Sequence, residues 1–167
     1  MKENIKIVNI LIGPPKNEEN DSYVVDNFMN EKGKKIVCGG TTSRIVSHKL
    51  NKKLITNKID YQSKIPPIGY IDGIDLVTEG IITLNEVYKF LTIFLKCSND
   101  IDENIKEING SSLIIKMLLD ADIINFYVGT AINKAHSSLR LPNRIELIKN
   151  IENVLIVLGK IVNIKFF

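Results

Sequence analysis

The segment Cys38–Thr42 (CGGTT) has the composition of a loop that binds an anion. Gly39 and Gly40 permit backbone conformations that other residues avoid, and they let a ligand approach the main chain closely. A helix that begins here would present free backbone N–H groups and a partial positive charge, and Thr41 and Thr42 could add hydroxyl groups. The segment therefore predicts a site for phosphate or another anion. The alternative is a tight strand-to-helix turn with Thr41 or Thr42 as the N-cap.

Three further loops follow predicted strands and differ from ordinary turns: GPP at 13–15, TEG at 78–80 and GTAINKAH at 129–136. The carboxyl ends of parallel strands share one edge of a sheet, and open α/β sheets bind their ligands at that edge. We therefore expect the four loops to contribute to one site. The candidate ligand-binding residues in these three loops are Glu79, Gly80, Gly129, Thr130, Asn133 and His136.

Glu79 and His136 are the two side chains of these loops suited to acid–base chemistry. The Glu79 carboxylate could accept the proton of a ligand hydroxyl or hold a cation, and the alternative is a solvated turn residue. The imidazole of His136 titrates near neutrality and can donate or accept a hydrogen bond, and the alternative is a structural hydrogen bond. The sequence identifies no catalytic residue, and any cofactor is unknown.

The remaining titratable residues indicate structural roles. Cys38 would lie near a helix N-terminus, which lowers a thiol pKa, but it has no partner base and is expected to be a small buried residue. His48 is expected on a helix surface. No metal site is predicted, because the cysteines are isolated and the aspartates show no metal-ligand spacing.

Hydrophobic periodicity predicts the elements that would position the loops. The predicted strands are 5–12, 34–38, 73–78, 123–128 and 160–167, with a further edge strand within 53–59 and a loop around 66–69. The predicted helices are 20–32, a helix carrying residues 45–50, 84–95, 111–119 and a long helix from 143, and TLNE predicts a capping box with Thr83 as N-cap and Glu86. This alternation is typical of an α/β fold, with a mainly parallel sheet and helices on both faces in a Rossmann-like three-layer arrangement.

Size and composition favour one intracellular domain covering 1–167. The 167 residues and 44% hydrophobic content suffice for a single core, and no linker divides the chain. A net charge of +3, with scattered basic residues, does not indicate nucleic-acid binding. No apolar run is long enough to span a membrane, and the first residues lack the order of a signal peptide, so we expect a cytoplasmic protein.

The motifs GPP, KKIVCGGTT, PPIG, GIDLVTEG and VGTAINKAH occur in this order between about Ile5 and Ile164. This set resembles the region that follows the catalytic domain in some stage II sporulation protein E-like (SpoIIE family) serine phosphatases of anaerobic bacteria. The resemblance implies a bacterial cytoplasmic protein tied to PPM-type phosphatase signalling, with the phosphatase catalytic domain as a partner in the same polypeptide or pathway. The chain lacks the Asp-Gly signatures with which that catalytic fold holds two metal ions, so no catalytic residue carries over. The matched positions, whose role the resemblance does not define, are Gly39, Gly40, Thr41, Thr42, Glu79, Gly80, Gly129, Asn133 and His136.

Three functions remain open at the level of the sequence. The first is a non-catalytic regulatory domain that binds a small anionic ligand, such as a nucleotide or another phosphorylated metabolite, and modulates a neighbouring phosphatase. The second is an enzyme that acts on a phosphorylated or carboxylated small molecule, with Glu79 or His136 as general acid or base. The third is an interaction module, for example a homodimer, whose loops only cap the fold. The identity of the ligand is not predicted.

Overall fold

The structure is a computed structural model, and it describes residues 4–56, 67–97, 108–132 and 143–167. The strands of the described part are β1 Ile7–Ile12, β2 Lys34–Cys38, β3 Ile55–Thr56, β4 Gly69–Tyr70, β5 Leu76–Thr78, β6 Ile123–Val128 and β7 Ile161–Phe166. The helices of that part are α1 Asp21–Asn30, α2 Gly40–Leu50, α3 Ile81–Cys97, α4 Gly110–Asp120 and α5 Arg144–Val157, and a 3-10 turn precedes α1 at Glu18–Asn20.

The strands form one sheet in the order β3-β4-β5-β2-β1-β6-β7. Five neighbouring strands, β5, β2, β1, β6 and β7, are parallel to one another. The short strands β3 and β4 are joined antiparallel at one edge. The direction of travel along the sheet reverses at β1, because β2 and β5 lie on one side of it and β6 and β7 on the other. The predicted α/β class and mainly parallel sheet are confirmed.

Helices cover both faces of the sheet, which is the expected three-layer arrangement. Buried residues of α3, α4 and α5 pack with Ile10, Ile36 and Phe126 on one face. Buried residues of α1 and α2 pack with Leu11, Val37 and other sheet residues on the opposite face. Successive residues of the central strands point to opposite faces, and both faces are covered. The sequences of these strands are therefore continuous apolar runs.

The structure corrects several predicted elements. The predicted strand 73–78 is regular only from Leu76, and part of the predicted loop around 66–69 forms β4. Helix α3 begins at Ile81, so Thr83 lies in its first turn and does not form the predicted capping box with Glu86. In the same helix Leu84, Val87 and Leu91 face the core as expected, whereas Leu95 is exposed.

In the described part of the chain, no helix is both long enough and apolar enough to cross a membrane. The candidate residues Asn133 and His136 lie outside the described residues.

Candidate functional site

The ends of the central parallel strands are level with one another. Thr78 of β5 pairs with Cys38 of β2, Cys38 pairs with Ile12 of β1, and Ile12 pairs with Val128 of β6. The next residue along each strand therefore stands in a single row across the edge of the sheet: Glu79, Gly39, Gly13 and Gly129. The prediction that the four loops share one edge is confirmed for their described residues.

The loops after β2 and β5 are in direct contact through two glycines. The Gly39 N–H donates to the carbonyl oxygen of Thr78 over 2.9 Å. A Cβ atom at Gly80 would lie 3.3 Å from the Cα of Gly39, so a side chain there would press against the neighbouring main chain. Gly39 itself has φ +109°, a conformation that L side chains rarely adopt. We call the segments 39–42 and 79–80 together the glycine corner.

Helix α2 starts at the glycine corner without a side-chain cap. Gly39 is the N-cap, so the prediction of Thr41 or Thr42 as N-cap is wrong. The first turn contains no acidic residue, and its backbone N–H groups have no partner within the helix. Gly40 and Thr41 are exposed, and a Cβ atom at Gly40 would meet nothing within 4 Å. Thr42 is only 3% exposed and packs beside Gly39. The space next to this helix end is open.

Helix α1, whose N-cap Asn20 also makes no side-chain cap, begins with the acidic Asp21. At the starts of α3, α4 and α5 a side chain of the chain itself reaches a backbone N–H group. The Glu79 carboxylate makes a long contact of 3.5 Å with the Thr83 N–H at the start of α3. Asn109 caps α4 by accepting the Ser112 N–H at 2.9 Å. Asn143 caps α5 by accepting the Glu146 N–H at the same distance. Helix α2 therefore differs from these three in having an uncapped N-terminus.

Helix α4, which the sequence predicted as 111–119, adds a third N-terminus beside the end of β5, and this position was not predicted. A Cβ atom at Gly110 would lie 3.0 Å from the Cγ2 of Thr78, so α4 begins against the last residue of that strand. Helices α2, α3 and α4 thus direct their N-termini toward the same corner of the sheet. Each N-terminus carries a partial positive charge, so the corner favours a negatively charged group. The sequence signal for the exact start of α4 is its capping segment, Asn109–Ser112.

Cys38 lies beneath the glycine corner and does not act as an exposed nucleophile. It is fully buried, and its sulfur lies 3.4 Å from the Thr78 hydroxyl oxygen. Burial is the largest cause that raises the pKa of the Cys38 thiol to about 12. The thiol therefore stays protonated near neutral pH, in agreement with the expected structural role. His48, also as expected, is exposed on α2.

The loop after β6 uses its polar groups within the fold. The Thr130 N–H and hydroxyl both donate to the carbonyl oxygen of Phe167, over 2.8 and 2.6 Å. A Cβ atom at Gly129 would lie only 2.0 Å from the carbonyl oxygen of Pro14. The Ala131 N–H donates to that same oxygen over 3.2 Å. These contacts join the β1 and β6 loops, so Gly129 and Thr130 are engaged in structure.

Arg144 also lies at this edge of the sheet, although the sequence did not predict it there. Its Nη1 donates to the carbonyl oxygens of Gly129 and Ala131, over 2.5 and 3.1 Å. The guanidinium lies across Gly13, where a Cβ atom would fall 2.3 Å from Cζ. Burial lowers the pKa of the guanidinium, which nevertheless remains protonated at neutral pH. Arg144 therefore fastens the start of α5 to the loops after β1 and β6.

A cleft of about 450 Å³ lies at the opposite edge of the sheet, where the strands begin. Four charged residues line it, and three of them already pair with other groups: Lys6 Nζ lies 2.5 Å from Asp120 Oδ1, and Asp75 accepts the Lys35 N–H over 2.7 Å. The cleft is remote from the four loops. We assign the candidate site to the glycine corner because uncapped helix N–H groups are present there.

Among residues 4–56, 67–97, 108–132 and 143–167, no three His, Cys, Asp or Glu side chains are grouped so as to hold a metal ion. Comparison with protein-family models, with curated proteins and with solved structures found no match for this chain.

Proposed function

We propose that this chain is a non-catalytic regulatory domain that binds a small anionic ligand at the glycine corner. The observation that carries the proposal is the start of α2, which is exposed and has neither a side-chain cap nor an acidic residue in its first turn. The backbone N–H groups of Gly40, Thr41 and Thr42 are the donors that a phosphate or carboxylate would bind.

The neighbouring charge narrows the class of ligand. Glu79 is half-buried next to Gly80 and carries a carboxylate that would repel a second negative group. A carboxylate is, however, a good acceptor for a hydroxyl group. The corner therefore suits a ligand with an anionic group near Gly40 and a hydroxyl group near Glu79. Nucleotides and sugar phosphates have this combination.

The order of the sequence motifs supports a proposed biological context. Their resemblance to the region after the catalytic domain in stage II sporulation protein E-like phosphatases leads us to propose that the domain works in the bacterial cytoplasm. There it would change the activity of a PPM-type phosphatase domain in the same polypeptide or pathway when its ligand binds. By itself the chain is expected to show no manganese-stimulated hydrolysis of a phosphopeptide, because two-metal hydrolysis needs an aspartate cluster.

A ligand screen on three proteins tests the proposal. Thermal unfolding is measured with a panel of nucleotides, sugar phosphates and small carboxylates for the parent, Gly40→Val and Thr130→Val. Gly40→Val places a side chain in the space that the ligand would occupy, whereas the Thr130 hydroxyl is engaged with Phe167. We expect a ligand that raises the melting temperature of the parent and of Thr130→Val but not of Gly40→Val.

Two results would contradict the binding site. One is a parent protein that no member of the panel stabilises. The other is a ligand that stabilises Gly40→Val as much as the parent. The proposed regulation is tested separately, by adding this chain and its ligand to the catalytic domain of such a phosphatase and measuring phosphopeptide turnover. An unchanged rate would remove the phosphatase context and leave the binding site standing.

A further inference from the structure

Strand β7 offers an open backbone edge. It is the last strand of the sheet, and the described part of the chain places no strand on its outer side. The N–H groups of Ile161 and Phe167 donate toward β6, to the carbonyl oxygens of Asp122 and Val128. Since alternate residues of a strand point their backbone groups to opposite sides, Val162, Ile164 and Phe166 direct theirs outward. A further strand could pair with these groups.

The side chains of β7 do little to protect this edge. Edge strands are usually short, or they carry charges or prolines that block pairing. Strand β7 has six residues and a single charge, Lys165. The Lys165 ammonium lies 3.6 Å from Glu31 Oε1 and 5.2 Å from the centre of the Tyr127 ring. Both side chains of this ion pair are about half exposed, and such surface pairs are weak, so Lys165 can exchange this contact for one across the edge.

Exposed apolar side chains flank both ends of the strand. Ile161 at its beginning is 59% exposed, and Phe166 at its end is 46% exposed. Ile156 and Val157, at the end of α5 and just before the strand, are also exposed. An antiparallel arrangement of two such strands would bring the apolar beginning of each against the apolar end of the other.

A row of asparagine amides crosses the sheet and ends on β7. The Asn163 amide nitrogen donates to Asn125 Oδ1, and the Asn125 amide nitrogen donates to Asn9 Oδ1, both over 2.9 Å. The Asn9 amide nitrogen donates to the carbonyl oxygen of Lys32 over 2.8 Å. A backbone carbonyl can only accept, so this last bond fixes the direction of the whole row. The row therefore ends in the Oδ1 acceptor of the exposed Asn163.

We propose that β7 pairs antiparallel with β7 of a second copy of this chain about a two-fold axis, with Ile164 opposite Ile164. In this register Asn163 of each copy is opposite Lys165 of the other, and Val162 is opposite Phe166. The two sheets become continuous across the interface. The inference is independent of the proposed ligand site, which lies at the end of the strands.

Side-chain chemistry selects this register among the neighbouring ones. With a two-fold axis perpendicular to the sheet, residues that lie opposite each other point to the same face. The nearest alternative registers therefore move the axis by one residue, to position 163 or to position 165. With the axis at position 163, Asn163 of one copy lies opposite Asn163 of the other, and their two Oδ1 acceptors face each other. With the axis at position 165, Lys165 of one copy lies opposite Lys165 of the other, and like charges directly across a pair of strands are destabilising. Only the proposed register places the Lys165 ammonium near the Asn163 acceptor.

Two substitutions at Asn163 test both the interface and its register. The side chain is exposed, and Asn163→Lys and Asn163→Asp both remove the same donor to Asn125. Sedimentation velocity over a series of protein concentrations gives the dimer dissociation constant of each protein. We expect a dimeric parent. Asn163→Lys should raise the constant roughly tenfold, because two symmetric Lys–Lys pairs form, whereas Asn163→Asp should leave it unchanged or lower it.

Each other outcome overturns part of the proposal. A parent that stays monomeric into the high-micromolar range excludes the dimer. A dimer that Asn163→Lys does not weaken is formed by another surface. Equal weakening by both substitutions indicates Asn163 opposite Asn163 and overturns the register. Circular dichroism of the variants, which should match the parent, confirms that each is folded.

Discussion

The loops after β2 and β6 both place a glycine directly beyond the end of a central strand, and Gly-Thr follows in the first and Thr-Ala in the second. After β6, the Thr130 hydroxyl is bonded to Phe167, and Gly129 is packed against Pro14. After β2, Gly40 and Thr41 are exposed at an uncapped helix start. Similar sequences at the same edge therefore serve different purposes: the β6 loop holds the fold together, and the β2 loop is available to a ligand.

Glycine substitutions should show the largest difference between the two loops. In Gly129→Ala the new Cβ would overlap the backbone oxygens of Pro14 and Gly13, which cannot move without separating the β1 and β6 loops. We expect a loss of about 3 kcal/mol or more in the free energy of unfolding. The matched variant Gly40→Ala should keep or slightly increase it, since alanine is favoured over glycine in a helix. Urea denaturation measures both, and equal losses would contradict the comparison.

Arg144→Met should have the next largest effect on stability. It removes hydrogen bonds from a charged group to the carbonyl oxygens of Gly129 and Ala131. We expect a loss of about 2–3 kcal/mol. Lys149→Met, on the exposed side of the same helix, is the control and should change little. A variant Arg144→Met that keeps its stability but loses ligand affinity would show that the β6 loop belongs to the binding site. That result would contradict the comparison.

Alkaline pH should destabilise the protein through the residue beneath the β2 loop. Burial raises the pKa of Cys38 from 9.0 to about 12, so the folded state retains a proton that the unfolded state has lost between these values. The unfolding free energy contributed by this thiol is therefore constant below pH 9 and falls as the pH rises above it, by up to about 1.4 kcal/mol per pH unit. Urea denaturation of the parent and Cys38→Ala between pH 8 and 10, with a flatter profile expected for the variant, checks this. Parallel profiles would count against it.

Threonine substitutions should give the smallest effects on stability. Thr130→Val removes the hydrogen bond to Phe167 and should cost about 1 kcal/mol. Thr41→Val, at an exposed position in the first turn of α2, should change the unfolding free energy by less than about 0.5 kcal/mol. Denaturation curves of the two variants compare the loops directly. A larger loss for Thr41→Val would show that the β2 loop also has mainly a structural role.

Local sequence patterns predicted the central elements well. Strands β2 and β6 agree with the prediction to the residue, because buried parallel strands are uninterrupted apolar runs bounded by turn residues. The shared edge followed from the alternation of strands and helices alone. The prediction failed at the starts of α2 and α3. The TLNE pattern satisfied a local rule, but α3 begins earlier, after Gly80, where Glu79 reaches the first turn.

The parts of the site that the sequence did not reveal depend on contacts between distant segments. Arg144 is recognisable only when the loops after β1 and β6 are known to be adjacent, because it lies across Gly13 and bonds to Gly129. The start of α4 joins the glycine corner through Thr78, which belongs to a separate segment of the chain. The order of the strands in the sheet determines these contacts, and hydrophobic periodicity does not predict that order.

The central claim is that a ligand binds at the β2 loop and not at the β6 loop, and backbone amide shifts test it residue by residue. The measurement is a two-dimensional ¹H–¹⁵N NMR titration of the parent with pyrophosphate, and with any compound that stabilises the protein in the thermal screen. We predict that the largest shifts occur at Gly40, Thr41 and Thr42, with smaller ones at Gly80, and that Gly129 and Thr130 are unaffected. Shifts concentrated at Gly129 and Thr130, or around Lys6 and Asp120 at the opposite edge, would contradict the account.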